Sequence, residues 1–488
     1  MARTAEETSG APHILIVGGG YVGMYTALRL QKKLKRELRR GEVKVTIVDP
    51  NSYMTYQPFL PEAAAGNISP RHVVVPLRRV LPKCTVRKAR VTELNHDEGW
   101  AIVQPLSGPP ERISYDYLVM AAGAVPRLLP IPGLAEQGIS LKTVGEAIHL
   151  RNHVLEQLEI AESTDDVELR RKALTFVFVG GGFAGVEAVA ELEDMTRDAT
   201  KYMRKVTPQD LRFMLVEAAD RILPEVGPDM GKWTAEQLRG RGIAVKMNTY
   251  LESAVDGQIE LSDGSSFPAG TLVWNAGVKP SPVVRHGDLP LDERGRVKGT
   301  EYLTVEGLVR AFTAGDNAAI PDLTQEGMFC PPNAQHAVRQ AKLLGDNIVR
   351  SLRGRTLKPY VHANIGAVAG LGLHKGVAQT YGFKVKGWPA WFMHRSYHGA
   401  KVPTFNRKLR VIADWTLALF LKRETVSLAT VEQPRADFQL AALDDPRVKT
   451  AAGTGAAKEP GRVRVAARLP LHRPRHRQHA RHERGMPP

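Results

Sequence analysis

His13-Ile-Leu-Ile-Val-Gly-Gly-Gly-Tyr-Val-Gly23 decides the fold. Ile14 to Val17 are apolar without alternation, as in a parallel strand covered on both faces. Gly18, Gly20 and Gly23 then spell G-x-G-x-x-G. The first glycine permits a tight turn, the second lets backbone approach a pyrophosphate, and the third lets a helix pack close to the strand. That helix would aim free N–H groups and its positive end at the phosphates. Next comes a second strand, Val43 to Asp49, with a carboxylate at its tip where a ribose can hydrogen-bond. An extra basic turn around Lys32 to Arg40 lengthens the helix between them.

Outward from this unit, Asn51 to Gly66 reads as a loop, with Gln57-Pro-Phe-Leu-Pro inside it. Val86 to Leu94 and Ala101 to Val103 read as meander strands. Ile113 to Gly123 reads as a buried strand ending in small residues that let backbone crowd a cofactor. A helix is expected from about Val144 to Ala161. The opening pattern then returns: Leu174-Thr-Phe-Val-Phe-Val-Gly-Gly-Gly-Phe-Ala-Gly185, followed by Arg212-Phe-Met-Leu-Val-Glu217 with an acid at its tip. Two such units predict two nucleotides. Glu217 accepts from a 2′-hydroxyl and repels a 2′-phosphate, favouring NADH over NADPH; Arg221 nearby works against it. A hairpin is expected over Ile259 to Phe267, turning at Asp263-Gly264. A helix should start at Asn333 and run to about Leu352.

At 488 residues the chain can hold two to three domains. Two cysteines, Cys84 and Cys330, give neither a disulfide framework nor metal spacing, and no metal site is expected. Met1 to Gly10 lacks the pattern of a signal peptide. No run approaches the roughly 18 apolar residues of a spanning helix. The net charge is +16, and most of it is local. Lys384 to Glu424 and Lys458 to Pro488 each carry nine Lys/Arg against two Asp/Glu, leaving the body nearly neutral. From 384 to 430, aromatics such as Trp388, Trp391 and Phe405 alternate with Lys386, Arg395, Lys401 and Arg407, and Val411 to Leu421 adds an apolar stretch. This suits an anionic membrane surface. Residues 431–488, rich in Ala, Gly, Pro, Arg and His, read as a disordered basic tail. No specific nucleic-acid binding is expected.

These motifs together resemble the two-dinucleotide-binding-domain flavoproteins of the pyridine nucleotide-disulfide oxidoreductase superfamily and, within them, type II NADH:quinone oxidoreductases. The resemblance spans about residues 12 to 425. It rests on Gly18 to Gly23, Ala121-Ala-Gly123, Gly180-Gly-Gly-Phe-Ala-Gly-Val-Glu187, Val216-Glu-Ala218, Val273-Trp-Asn-Ala-Gly-Val278, Ala314-Gly-Asp316 and Ala334-Gln335. It implies an α/β fold of two Rossmann-like, doubly wound, three-layer dinucleotide-binding domains, the second inserted in the first, plus a C-terminal membrane-associating segment. FAD would occupy 11–140 and 289–383, and NADH would occupy 141–288.

By the same resemblance, Gly18, Gly19, Gly20, Tyr21, Val22, Gly23, Asp49, Val91, Ala122, Gly123, Asp316, Gln335, Ala337 and Lys375 would serve FAD. Gly180, Gly182, Gly185, Glu217 and Gly277 would serve NADH. Glu187 would lie between nicotinamide, flavin and quinone sites. The implied activity passes hydride from NADH to FAD and then two electrons to a membrane quinone, without proton pumping, at the cytoplasmic face of the cell membrane. Homodimers are common in such a family. The chain departs at the acceptor motif: Arg339 takes a glutamine's usual place and Gln340 is one position late, turned by about 100° on a helix. Trp274 is followed by Asn275, where a small residue is common. The rival readings are a ferredoxin-reductase-like enzyme with a protein acceptor, or a low-turnover flavin redox sensor. A disulfide reductase would need a Cys-x4-Cys pair, and none is present.

Overall fold

The computed structural model describes residues 10–362, 366–421 and 423–427. Strand β1 (His13–Val17) leads through the glycine turn into helix α1 (Tyr21–Lys33). The expected basic extension is a separate short helix, Lys35–Arg40, because the chain breaks at Leu34. Strand β2 (Lys44–Asp49) follows. The stretch expected as a loop is more ordered than that. It holds a short strand, Tyr53–Thr55, a 3-10 turn at Gln57–Phe59 and helix α2 (Leu60–Ala64). Pro58 and Pro61 occupy the first turns of the latter two, where no N–H is needed, so they start helices rather than break them. The meander is β3 (Thr85–Asn95), β4 (Trp100–Pro105) and β5 (Glu111–Ser114), and β6 (Tyr117–Met120) returns to the centre.

The chain then builds a second sheet. It contains β7 (Gly138–Ile139), β8 (Thr175–Val179), β9 (Arg212–Val216), β10 (Ala244–Lys246) and β11 (Thr271–Trp274). Their spatial order is β7-β11-β8-β9-β10, all parallel. Helix α3 (Val144–Ser163) opens with a capping box in which Thr143 and Glu146 exchange side-chain and backbone bonds. Helix α4 (Phe183–Ala199) follows the second glycine turn, and α5 (Pro228–Arg239) links β9 to β10.

Strand β12 (Ala311–Thr313) returns to the first sheet and pairs with β6, completing the order β12-β6-β1-β2-β3-β4-β5. The second sheet is therefore inserted between strands of the first. Both glycine-turn strands are interior, and their alternate residues feed different cores. Ile14 and Ile16 face one and Leu15 and Val17 the other; Phe176 and Phe178 face one and Val177 and Val179 the other. That is why these strands show no alternation.

Helix α6 (Ala334–Leu352) starts where Asn333 caps it, its side chain accepting from His336 N–H at 2.9 Å. It packs along α1: Thr26 donates to Ala341 O and Arg29 pairs with Asp346 at 2.6 Å. Strands β13 (Gly366–Gly370), β14 (Gly376–Thr380) and β15 (Phe383–Lys386) form an antiparallel ribbon. Helices α7 (Trp388–Lys401) and α8 (Phe405–Phe420) close the described chain. Among the described residues no helix is long and apolar enough to cross a membrane. The tail expected to be disordered lies outside the described residues.

Candidate active site: two glycine cradles joined by one ribbon

The two glycine turns are the same construction built twice. Val17 pairs with Val48 on one side and Met120 on the other; Val179 pairs with Val216 and Trp274. Gly18 and Gly180 have φ of +105° and +109°, a region other residues avoid. Each lies against the segment after the neighbouring strand: a Cβ would stand 2.3 Å from Ala121 O at Gly18 and 2.7 Å from Asn275 O at Gly180. At Gly23 and Gly185 a Cβ would stand 1.8 and 1.9 Å from the carbonyl of Gly18 and Gly180, so only glycine lets the helix sit this close. At Gly20 and Gly182 it would meet nothing within 4 Å. The middle glycine thus keeps a face open where a pyrophosphate would lie, beside the helix N-terminus. Gly123 and Gly277, also equivalent in the two copies, are open in the same way.

The strand-tip acids are tied to their own turns. Gly19 N–H donates to Asp49 Oδ2 at 2.6 Å, and Gly181 N–H donates to Glu217 Oε2. Asp49 also accepts from Asn51 N–H, and Glu217 from Ala219 N–H. Burial raises Asp49 above its usual range, against the pull of those two donors. Val91 lies three residues beyond Lys88, the partner of Asp49; its side chain is buried in the core with Val17 and Met120.

In the first unit three segments converge. A Cβ at Gly315 would stand 2.6 Å from Val22 and 3.8 Å from Ala337, so the starts of α1 and α6 meet at the Ala314-Gly-Asp316 turn. Asp316 lies 3.6 Å from Lys142 Nζ. Asn317, which sequence reading missed, accepts from Gly123 N–H at 2.9 Å and donates to Met120 O. It thereby fixes the Ala122-Gly123 segment. Its signal was its place directly after Gly-Asp. The ring of Tyr21, at the start of α1, lies 6.1 Å from that of Tyr56. Gln335 donates to Gly366 O at 2.8 Å; its Oε1 is buried and has no hydrogen-bond partner among the described residues. The one-position shift in this motif has a clear outcome. Gln340 is 1% exposed and accepts from Gly315 N–H, so it braces the turn from behind instead of facing the site with Gln335.

The ribbon carries the site to the second unit. Its strand β13 holds Gln335 at Gly366, while at Gly370 the N–H donates to Glu187 Oε1 at 2.9 Å. Glu187 also lies 3.0 Å from His394 Nε2. Lys375 is not brought to the Gln335 end. It follows Gly370 around the far turn of the ribbon and reaches Gln237 of α5 at 3.4 Å. Register puts that turn about four residues, roughly 13 Å, from Gly366.

Two residues expected to face a membrane turn inward. Trp391 and Arg395 are each 8% exposed. The Arg395 guanidinium lies 4.4 Å from the Trp391 ring and 5.0 Å from Trp415, and pairs with Glu62 at 3.3 Å. Their periodicity of four puts them on the inner face of α7 with Ala390 and His394, a signal that basic composition obscured.

A family model for pyridine nucleotide-disulphide oxidoreductases matches residues 11–341. The chain belongs to that family. Its two thiols take no part in the chemistry the family is named for. Cys84 and Cys330 are free, and burial pushes them up to about 12 and about 11, so neither is a thiolate near neutral pH. Among curated family relatives, the type II NADH:quinone oxidoreductase Ndh of Mycobacterium tuberculosis is 26% identical over 475 residues, covering 94% of this chain and 99% of that one. The type II NADH:quinone oxidoreductase of Staphylococcus aureus is 29% identical over 388 residues, covering 78% and 93%. A solved structure of NDH2 from Plasmodium falciparum in complex with NADH shares the fold, with a TM-score of 0.77 at 17% identity, covering 85% of this chain and all of that one.

Proposed function

We propose that this chain is an FAD-dependent NADH:quinone oxidoreductase working at an anionic membrane surface. The observation that carries the reading is the doubled cradle: two open glycine faces, at Gly20 and Gly182, in one chain whose ribbon holds Gln335 and Glu187 on a single strand. Residues 11–140 and 289–383 hold FAD through the Gly18–Gly23 turn, Asp49, Gly123 and Asp316, with Gln335 Oε1 available to it. Residues 141–288 hold NADH through the Gly180–Gly185 turn, Glu217 and Gly277. Bound FAD supplies the two-electron chemistry, taking electrons from NADH and giving them to quinone. The protein orients the partners. Glu217 refuses a 2′-phosphate, and Glu187 is the carboxylate available to the acceptor side. The whole-length match to relatives named for NADH and quinone supports the same assignment.

The membrane reading rests on α8. It docks by polar groups: Asp414 Oδ2 accepts from Ser69 N–H at 3.0 Å and pairs with His72, and Trp415 Nε1 donates to Glu62 at 2.7 Å. Val411, fully buried, and the Trp415 ring against Phe59 complete that inner face, while Phe405 at 80%, Phe420 at 81%, and Leu409 and Ile412, at least half exposed, point outward. Trp388 and Phe392 of α7, stacked at 5.7 Å, are two further exposed aromatic rings. Arg407, Lys408 and Arg410 lie on the same helix, beside the headgroups. The same reading puts the enzyme at the cytoplasmic leaflet, whose anionic lipids attract basic segments.

The test is anaerobic. NADH bleaches the flavin of the purified protein, and a menaquinone or ubiquinone analogue restores it. Bleaching without recovery would transfer the enzyme to a protein acceptor or a sensing role. Replacing Phe405, Leu409 and Ile412 by Ser should release the protein from anionic vesicles while NADH still bleaches the flavin.

A further inference from the structure

Reducing a quinone to a quinol consumes two electrons and two protons. NADH yields two electrons and one proton, so one proton per turnover must come from water through the protein. Glu187 is 8% exposed and His394 behind it 4%. Glu187 Oε1 accepts from Gly370 N–H and lies 3.0 Å from His394 Nε2, a buried atom with no hydrogen-bond partner among the described residues. The His394 ring packs edge-on against His398, ring centres 4.6 Å apart, and His398 Nδ1 lies 3.0 Å from the Tyr56 hydroxyl.

The charges facing His394 come from three elements. Glu187 reaches it from α4 and Glu62 from α2; Arg395 and His398 share its own helix. Strand β13 contributes backbone at Gly370. Burial works against a charged His394 imidazole, but the Glu187 carboxylate 3.0 Å away outweighs it and holds the ring above its ordinary value. One turn along, burial and the neighbouring His394 hold His398 well below. Neighbouring titratable groups pushed in opposite directions mark a proton donor and a neutral support.

We propose that His394 is the proton reserve of the acceptor half-reaction, passing its Nε2 proton to Glu187, which delivers it to a quinone oxygen. This rests on the NADH:quinone reading. The N–H bond of His394 breaks as an O–H bond forms on Glu187; that bond breaks as the quinol O–H forms. Neither residue changes oxidation state, and His394 regains its proton from water. His394 acts through Glu187 and is a positioning residue.

The experiment pairs kinetics with direct titration of the holoenzyme. His394→Gln keeps a donor toward Glu187 but cannot give up a proton, and flavin content and Tm report its folding. The expected result at pH 8 is a loss of at least ~10-fold in kcat with a quinone analogue, smaller at pH 6, with NADH-driven bleaching unchanged. ¹⁵N-histidine NMR of the wild type should show His394 protonated above pH 6.5, and Glu187→Gln should lower that midpoint. Equal quinone turnover by wild type and His394→Gln at every pH, or a neutral His394 at pH 6, would overturn the role of His394 alone. A wild type whose bleached flavin no quinone restores would instead overturn the quinone reading. If His394→Gln does not fold, the wild-type and Glu187→Gln titrations decide the matter.

Discussion

Gln340 Oε1 accepts the N–H of Gly315 at 2.8 Å, linking the second turn of one helix to a turn 25 residues earlier. The link pins the start of α6 and the Ala314-Gly-Asp316 turn to each other beside Val22. Gln340→Ala takes the acceptor from the half-buried Gly315 N–H, at a cost of roughly 1 kcal/mol. Thermal unfolding should drop accordingly, and flavin should be released faster on dilution. Unchanged flavin retention would show that the turn is held by other contacts.

The middle and last glycines of each turn make opposite demands. Gly23→Ala drives a methyl to within 1.8 Å of Gly18 O, so backbone must move, at a cost on the order of 3 kcal/mol or more. Gly20 has ordinary extended backbone and open space, so Gly20→Ala costs the apoprotein less than about 1 kcal/mol. Its methyl instead fills the phosphate face. Apoprotein Tm should therefore fall at Gly23→Ala and hardly at Gly20→Ala, while flavin content falls in both. Full flavin occupancy in Gly20→Ala would contradict the assignment of that face.

Glu217 holds Gly181 and Ala219 N–H groups, and under the proposed function its charge would meet the adenosine ribose. Glu217→Gln removes the repulsion of a 2′-phosphate. The ratio of kcat/KM for NADPH to that for NADH should rise about tenfold or more, since like-charge contacts cost several kcal/mol. Steady-state rates with both nucleotides check it, and an unchanged ratio would move the discrimination elsewhere, with Arg221 the next residue to alter.

One turn beyond Glu187, buried Glu191 accepts from Asn67 Nδ2 at 2.6 Å. Burial first, and then the charge of Glu62, raises it from 4.5 to about 7. Between these values the native chain holds a proton that the unfolded chain has lost, so stability falls as pH rises through this window and levels off above it. The full effect is roughly 3 kcal/mol at most. Glu191→Gln keeps an acceptor for Asn67 and should flatten the profile. Urea unfolding at pH 5, 6, 7 and 8 measures it; parallel slopes for the two proteins would assign the pH dependence to other groups.

What could be read from the chain was what is local. The glycine turns, their strands and the Asn333 cap are each specified within about twenty residues, and the structure reproduces them. Long-range pairings were out of reach: Glu187 meets Gly370 across 183 positions, and nothing near either residue announces the other. Nor did composition separate the faces of α7, where Arg395 and Trp391 look as basic and aromatic as their exposed neighbours but serve the interior. Proline misled in the other direction. The stretch holding Pro58 and Pro61 read as a loop, yet both open helical turns, and α2 is buried against the body. Lys375 came from a resemblance, with no geometric argument behind it, and the ribbon sets it at the Gly370 turn, beside Gln237, away from Gln335.

The ribbon also sets the mechanics of the molecule. At one end its main chain is held by Gln335; at the other, Gly370 is held by Glu187, Leu371 O by Arg241, and Leu373 N–H by Asp194. A clamshell opening of one nucleotide unit away from the other would have to tear the hold on the ribbon at one end or the other. The ribbon therefore acts as a strap between the two units, and the length of one strand sets how far the Gln335 anchor stands from the Glu187 anchor.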